Sequence, residues 1–302
     1  MIRSARLRPG DVVRVVAPAG PVPREGFAAG AAILGRRYQL RHDDALFARE
    51  GFLAGSDERR LAELTTAFAD PDAKAVILAR GGYGLLRLLP FLDPAALRAR
   101  PLPIVGFSDG TALLAHAARA GVAAVHGPVV TQLAGLPAQD HEALFRLLEE
   151  PAPGAVLTGL GELVPGRVRG PLLGGNLEVF SRLVGTPHLP ELSGAILFIE
   201  DLGERPYRVD RLVTFLDLAG VFGALAGVVV GDFSSCLEPE PTRASSPTTA
   251  EVLIERLGRL AIPVAMGGQF GHGTRNLALP YGCLCELDTR AGTLVALEGV
   301  VS

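Results

Sequence analysis

The chain has 302 residues, of which 48% are hydrophobic and 20% are charged, and its formal net charge is −3. This balance is typical of a globular protein of about two domains, and it offers no positively charged track for nucleic acid. Neither an export signal nor an apolar run of about 20 residues is found, so we expect a cytoplasmic protein without a membrane span.

The first half of the chain alternates between predicted strands and helices. Strands are expected at 11–17, 75–79, 102–107 and 122–125, and helices at 24–35, 57–69 and 109–120. This β-α-β order predicts a parallel sheet covered by helices on both faces. Ligands of such sheets bind at the carboxyl ends of the strands.

The second half follows a segment rich in proline and glycine. Residues 151–170 show little periodicity and are the best candidate for a linker. Beyond it we expect strands at 195–199 and 226–230, helices ending at 183 and covering 207–218 and 250–260, and a polar loop at 236–249. The remainder of the chain after 260 is expected to form strands. We therefore predict an α/β protein with a flavodoxin-like parallel-sheet domain over 1–150 and a smaller α/β domain over 171–302.

A serine stands at the junction of a predicted strand and a predicted helix. Gly106-Phe107-Ser108-Asp109-Gly110 matches the G-x-S-x-G pattern of a nucleophile elbow. Small neighbours allow a sharp turn, so Ser108 should adopt strained dihedrals and project its hydroxyl near the helix N-terminus. The N–H of Asp109 could hold an oxyanion, and the Gly81-Gly82 turn could supply a second N–H. A helix cap formed by Ser108 and Asp109 is the alternative.

A serine nucleophile requires a base. The sequence contains a single lysine, Lys74, so histidine is the obvious choice. His272 is the best of the six histidines, because its glycine neighbours let a substrate or another backbone approach closely. His126, at the end of a predicted strand, is the second candidate.

The base in turn requires a carboxylate that orients its ring. The apolar strand Ile196-Leu197-Phe198-Ile199 ends in Glu200-Asp201. Alternation along a strand sends these two side chains to opposite faces, so only one of them can serve. The pattern itself does not choose between them.

The cysteines predict neither a disulfide framework nor a metal site. Their number is odd, and Cys283-x-Cys285 lacks a second pair of ligands. The Gly81-Gly82 turn lacks the G-x-G-x-x-G pattern of a dinucleotide site. We expect no metal and no cofactor.

These motifs resemble the LD-carboxypeptidases, a family that includes the muramoyltetrapeptide carboxypeptidases and the microcin C immunity peptidases. The motifs that carry the resemblance occur in the family's order over nearly the whole chain. They are Val16–Gly20, Ala79–Gly84, Gly106–Asp109, His126–Pro128, Gly174–Leu177, Ile199–Leu202, Pro206-Tyr207, Asp210-Arg211 and Gly271–Gly273.

The resemblance implies roles for particular residues. The family's nucleophile falls on Ser108, its base on His272 and its acid on Glu200 rather than Asp201. Its oxyanion hole is expected at the amide of Asp109 and at an amide of the Gly81-Gly82 turn. The serine would belong to the N-terminal domain, and the other two members of the triad to the C-terminal domain.

The resemblance also implies a reaction and partners. It is the hydrolysis, through an acyl-enzyme, of the bond from an L-centre to the terminal D-alanine of a cell-wall tetrapeptide. A homodimer that acts on a small peptide, and on neither nucleic acid nor membrane, is expected.

Three other functions are alternatives to this one. Gly110, where the family has a larger residue, makes the elbow look like that of an α/β-hydrolase esterase, which would have a single domain. A microcin C-type immunity peptidase is the other enzyme alternative, and the absence of tryptophan disfavours it, since those members share an aromatic shelf for a nucleobase. A periplasmic-type binding protein would need an export signal.

Overall fold

In the computed structural model, which describes residues 1–240 and 245–302, strands and helices alternate along most of the chain. The strands are Val12–Val16 (β1), Gln39–Arg41 (β2), Ala73–Leu78 (β3), Ile104–Gly106 (β4), Ala124–His126 (β5), Gly154–Thr158 (β6), Gly161–Val164 (β7), Arg167–Asn176 (β8), Ile196–Leu202 (β9), Gly227–Ser234 (β10), Val264–Met266 (β11), Leu279–Tyr281 (β12), Leu284–Asp288 (β13) and Thr293–Ala296 (β14). Residues 241–244 of the loop predicted at 236–249 lie outside the described residues.

Six of the ten α-helices in the described residues fall close to the expected positions, and those at 94–99, 130–133, 138–149 and 221–224 were not predicted. The ten helices are Arg24–Leu34 (α1), Asp57–Ala69 (α2), Pro94–Ala99 (α3), Thr111–Arg119 (α4), Val130–Leu133 (α5), Ala138–Glu149 (α6), Leu177–Ser181 (α7), Pro206–Leu218 (α8), Val221–Ala224 (α9) and Thr249–Leu257 (α10). Short 3-10 helices cover Asp44–Phe47, Leu85–Arg87, Leu89–Phe91 and Ser108–Gly110. No helix within the described ranges is long and apolar enough to cross a lipid bilayer.

The first sheet has the strand order β2-β1-β3-β4-β5-β12. Its first five strands are parallel and follow the flavodoxin-like order, so the predicted α/β class is confirmed. All side chains of β3 are buried except that of Lys74. Such a strand is stable only in a sheet that is covered on both faces, as parallel sheets are.

The sixth strand of this sheet comes from the far end of the chain. β12 pairs antiparallel with β5, with Leu279 opposite His126. A bridge between Ser4 and Val301 also joins the two chain ends. The second half therefore contributes to the sheet of the first half, and the division into domains at 150 and 171 remains a prediction.

The second sheet has the order β6-β14-β13-β8-β9-β10-β11-β7. Its four central strands, β8 to β11, are parallel, and the pairs outside them are antiparallel. The expectation of a linker at 151–170 differs from the structure, which builds β6, β7 and the start of β8 from this segment. Each of these strands pairs with residues from beyond position 260, which a local pattern does not reveal.

Candidate active site

Ser108 occupies a strained turn at the carboxyl end of β4. Its φ of 59° lies in the left-handed region, a conformation that costs a residue other than glycine about 1–3 kcal/mol. The Gly110 N–H donates to the Phe107 carbonyl at 2.9 Å, which closes the turn, and α4 begins at Thr111. The strain expected from the G-x-S-x-G pattern is present.

The Gly81-Gly82 turn, which follows β3, lies against this serine. A Cβ atom added at Gly81 would lie 2.7 Å from the Ser108 Cβ and 3.0 Å from its Oγ. Gly82 has φ of 113°, and a Cβ there would lie 2.9 Å from the Cα of Gly20. Glycine is therefore required at both positions. Because Gly81 has no side chain, its backbone can lie close to the Ser108 hydroxyl.

Asp109 connects the elbow to the segment that follows this turn. Its Oδ2 accepts a hydrogen bond from the Leu85 N–H at 2.9 Å, and its side chain is buried. Burial raises the pKa of Asp109 to about 6, and the bond from Leu85 opposes that rise. The N–H of Asp109 lies in the first turn of a helix, where amides lack partners within the helix and can bind an anion.

His272 lies beside the carboxylate of Glu200. The distance from His272 Nδ1 to Glu200 Oε2 is 2.7 Å. Glu200, near the end of β9, has no exposed surface, whereas 14% of the His272 side chain is exposed. Burial raises the pKa of Glu200, and the hydrogen bond from His272 opposes that rise. A proton on Nδ1 that donates to this carboxylate leaves the Nε2 lone pair available as a base.

Asp201 lies on the other face of β9. Its oxygens accept hydrogen bonds from Asn176 Nδ2 at 3.0 Å, from the Glu178 N–H at 3.1 Å and from the Leu202 N–H at 2.8 Å. Burial raises the pKa of Asp201 to about 7. Of the two consecutive acids, Glu200 is therefore the one that contacts His272, while Asp201 anchors the start of α7.

Residues from both halves of the chain fix the His272 loop. Gly271, with φ of 129°, donates its N–H to Asn276 Oδ1 at 3.2 Å. The N–H of Asn276 donates to Asp140 Oδ2 at 2.7 Å, and its amide donates to Gln132 Oε1 at 2.9 Å. The loop that carries the candidate base is thus attached to α5 and α6 of the first half.

A cavity of about 840 Å³ brings the candidate residues together. Its lining includes Ser108, Asp109, Gly81, Gly82, Asn176, Asp201 and His272. The Phe107 ring packs against the ring of His272 with 4.4 Å between their centroids. Within the described part of the chain, no hydrogen bond joins Ser108 to His272, and such contacts commonly shorten only when substrate binds.

His126 does not reach this cavity. It has no exposed surface and lies between the rings of Phe107 and Phe198, at centroid distances of 5.3 and 4.8 Å. Burial lowers the pKa of His126 to about 3, so its ring is neutral. Its environment is that of an apolar core position rather than of a base.

The cysteines lie away from any chemistry. Cys236, Cys283 and Cys285 are free and buried, and burial raises the pKa of Cys236 and of Cys283 to about 12. Among residues 1–240 and 245–302, no cluster of histidine, cysteine and acidic side chains is arranged to hold a metal ion.

Several residues that support the site were not predicted from the sequence. Asn176 directly follows Gly174-Gly175, a motif noted only for its resemblance, and its N–H donates to Thr111 Oγ1 at 3.0 Å. A Cβ at Gly175 would lie 2.4 Å from the same oxygen. The glycines therefore let β8 approach α4 across the junction of the two sheets, and the double glycine before a polar residue was the available signal.

Comparisons with known proteins identify the family. The sequence profile of the LD-carboxypeptidase N-terminal domain matches residues 13–127, and that of the LD-carboxypeptidase C-terminal domain matches residues 169–287. The murein tetrapeptide carboxypeptidase of Pseudomonas aeruginosa is 35% identical over 91% of this chain and 92% of its own.

Solved structures share the whole fold. The muramoyltetrapeptide carboxypeptidase of Oxalobacter formigenes is 30% identical and superposes with a TM-score of 0.83 over 95% of this chain and 99% of its own. The wild-type apo form of the microcin C7 self-immunity protein MccF superposes with a TM-score of 0.90 at 25% identity, over 100% of both chains. MccF of Escherichia coli is 29% identical over 94% of this chain and 92% of its own.

Proposed function

Because this chain belongs to the LD-carboxypeptidase family and is a serine-type carboxypeptidase, we propose that it releases terminal D-alanine from cell-wall tetrapeptides. The bond cleaved joins an L-centre, that of diaminopimelate in the expected substrate, to this D-alanine. One observation carries the proposal: His272 bonds Glu200 at 2.7 Å at the edge of a cavity that Ser108 also lines. This is the set of groups that acyl transfer through a serine requires.

The first half of the reaction forms an acyl-enzyme. The Ser108 hydroxyl attacks the carbonyl carbon while His272 Nε2 takes its proton, so the imidazole becomes an imidazolium. The buried carboxylate of Glu200 keeps the other ring proton on Nδ1 and stabilises the positive charge that forms. The C–N bond then breaks as the imidazolium protonates the leaving amine of D-alanine.

The backbone near Ser108 supports a role for backbone amides in stabilising the oxyanion of this step. The N–H of Asp109 lies in the first turn of the helix after the elbow, and the backbone of Gly81 lies close to Ser108. Each such donor contributes about 3–4 kcal/mol in comparable enzymes, since it is fixed before charge develops. Deacylation repeats the sequence with water as the nucleophile and returns the proton to Ser108.

A microcin C-type substrate is the second candidate. The structural match with MccF extends over both whole chains, which supports it. The absence of tryptophan and the 35% identity to a murein tetrapeptide carboxypeptidase favour the cell-wall peptide. Purified protein incubated with an aspartyl-nucleotide amide and, separately, with a murein tetrapeptide should cleave the tetrapeptide faster.

Mass spectrometry of the tetrapeptide reaction tests the main proposal. We expect the loss of one alanine from the peptide that ends in D-alanine, and none from the peptide that ends in L-alanine. The Ser108→Ala variant controls for contaminating peptidases. Cleavage of simple p-nitrophenyl esters without any cleavage of the tetrapeptide would instead support an esterase.

We also propose that the enzyme acts as a homodimer in the cytoplasm on peptides that return from the wall. Both expectations derive from the family resemblance and from the sequence. Sedimentation of the purified chain and fractionation of cells that produce it would test them.

A further inference from the structure

A carboxypeptidase acts at a chain end, so its site must recognise a free carboxylate that an endopeptidase never meets. In the reaction proposed above, this carboxylate follows the scissile carbonyl by a single residue. Its receptor must therefore lie a short distance beyond the oxyanion hole. Arginine is the side chain best suited to this task, because its planar guanidinium can donate two parallel N–H bonds to a carboxylate.

The lining of the cavity supplies two arginines, Arg80 and Arg182. The guanidinium of Arg182 is already engaged, since its Nε and Nη2 donate to Glu178 Oε1 at 3.0 and 2.6 Å. Arg80 has no acidic partner among residues 1–240 and 245–302. Its Nη1 donates to the Pro21 carbonyl at 2.5 Å, and its other N–H groups are left for a ligand.

Arg80 also lies next to the turn that contacts the nucleophile. It directly precedes Gly81, where an added Cβ would lie 3.0 Å from Ser108 Oγ. A Cβ added at Gly20 would lie 3.0 Å from the Gly81 carbonyl oxygen and 3.7 Å from Arg80 Nη1. The guanidinium thus lies just beyond the turn that approaches the nucleophile, at the edge where β1 and β3 end.

We propose that Arg80 binds the terminal carboxylate of the substrate and thereby restricts the enzyme to the last residue of a peptide. This inference rests on the proposed function. The Pro21 carbonyl holds one end of the guanidinium in place, so less side-chain freedom is lost when the carboxylate binds. The exposed side chain is accessible from the cavity, and no ion pair must break before it can act.

Kinetics with two peptides test this role. The peptides are a tetrapeptide with a free terminal carboxylate and the same peptide ending in D-alaninamide. The wild-type enzyme should prefer the acid, and Arg80→Gln should lower kcat/KM for the acid by about 10- to 100-fold while leaving the amide unchanged. The loss should fall mainly on KM, because the carboxylate is bound equally in the ground state and in the transition state. Arg80→Lys should recover part of the preference.

Two control variants make the result decisive. Arg87→Gln removes a nearby arginine that pairs with Asp57 outside the cavity lining, and it should leave both peptides unaffected. The inference would be overturned if Arg80→Gln lost the same activity on the acid and on the amide. It would also be overturned if Arg182→Gln, rather than Arg80→Gln, lost the preference for the acid. Neither outcome would contradict the proposed function. If the wild-type enzyme cleaves neither peptide, the proposed function fails first and the inference fails with it.

Discussion

Glu200 and Asp201 are consecutive residues of β9, and their carboxylates lie on opposite faces of the strand. Glu200 accepts from His272 Nδ1 at 2.7 Å, and Asp201 accepts from Asn176 Nδ2 at 3.0 Å. Successive side chains of a strand point to opposite faces, so a single acid can orient the base. Because both carboxyls are buried, their environments rather than their exposure set their roles.

This arrangement predicts unequal effects of removing the two charges. Glu200→Gln leaves a neutral group beside His272 that cannot stabilise an imidazolium, so kcat should fall roughly 10³- to 10⁴-fold. Asp201→Asn should cost less than about 10-fold, since its partners anchor α7 rather than the base. Steady-state kinetics on a murein tetrapeptide would measure both. A larger loss in Asp201→Asn would reverse the assignment of the acid.

The elbow predicts the effect of removing the nucleophile. Ser108→Ala should lower kcat by about 10⁶-fold, because it removes the hydroxyl that forms the acyl-enzyme. The stability of the folded state should not change, since a φ of 59° is no less favourable for alanine than for serine. Turnover and the thermal midpoint would be compared with those of the wild type, and residual activity of a few per cent in a pure sample would contradict a serine mechanism.

The contact between Gly81 and Ser108 predicts a steric effect. Gly81→Ala places a Cβ at 2.7 Å from the Ser108 Cβ, so either the turn or the nucleophile must shift. A displacement of about 1 Å can cost about 100-fold in rate. Gly223→Ala is the matched control, because a Cβ there meets no atom within 4 Å. Comparable rates for the two variants would show that the turn does not position the reaction.

The raised pKa of Asp201 predicts a pH-dependent stability. Its pKa of about 7 exceeds the unfolded value of about 3.9, so the folded state holds more protons between these values and loses stability as pH rises. Asn does not titrate. The stability of the wild type relative to Asp201→Asn should therefore fall by about 2–3 kcal/mol between about pH 5 and about pH 8. Urea unfolding at both pH values measures it, and a difference independent of pH would refute the shift.

Much of the fold could be predicted from the sequence because it depends on neighbouring residues. Hydrophobic periodicity predicts α1 and α2 to within a residue. Runs of consecutive apolar residues, which are typical of strands buried on both faces, predict the parallel strands. The segment at 151–170 was predicted as a linker because of its proline and glycine content. It forms strands instead, since its pairing partners come from beyond position 260. β12 lies where strands were expected, but its pairing with β5 in the first sheet could not be predicted, for the same reason.

The candidate site likewise has features that depend on neighbouring residues and features that depend on distant ones. Local sterics around Ser108 and the glycines at 81 and 82 make the elbow and its turn readable from the sequence, because small residues at fixed spacing allow only a few backbone conformations. The choice of Glu200 over Asp201 was left open by the residue pattern. Tertiary structure decides which acid faces His272, which lies 72 positions away in the sequence. The bond from Asn276 to Asp140, across 136 positions, then fixes the histidine loop. Such contacts depend on how two sheets pack together, and packing is a property of the whole chain that no local pattern encodes.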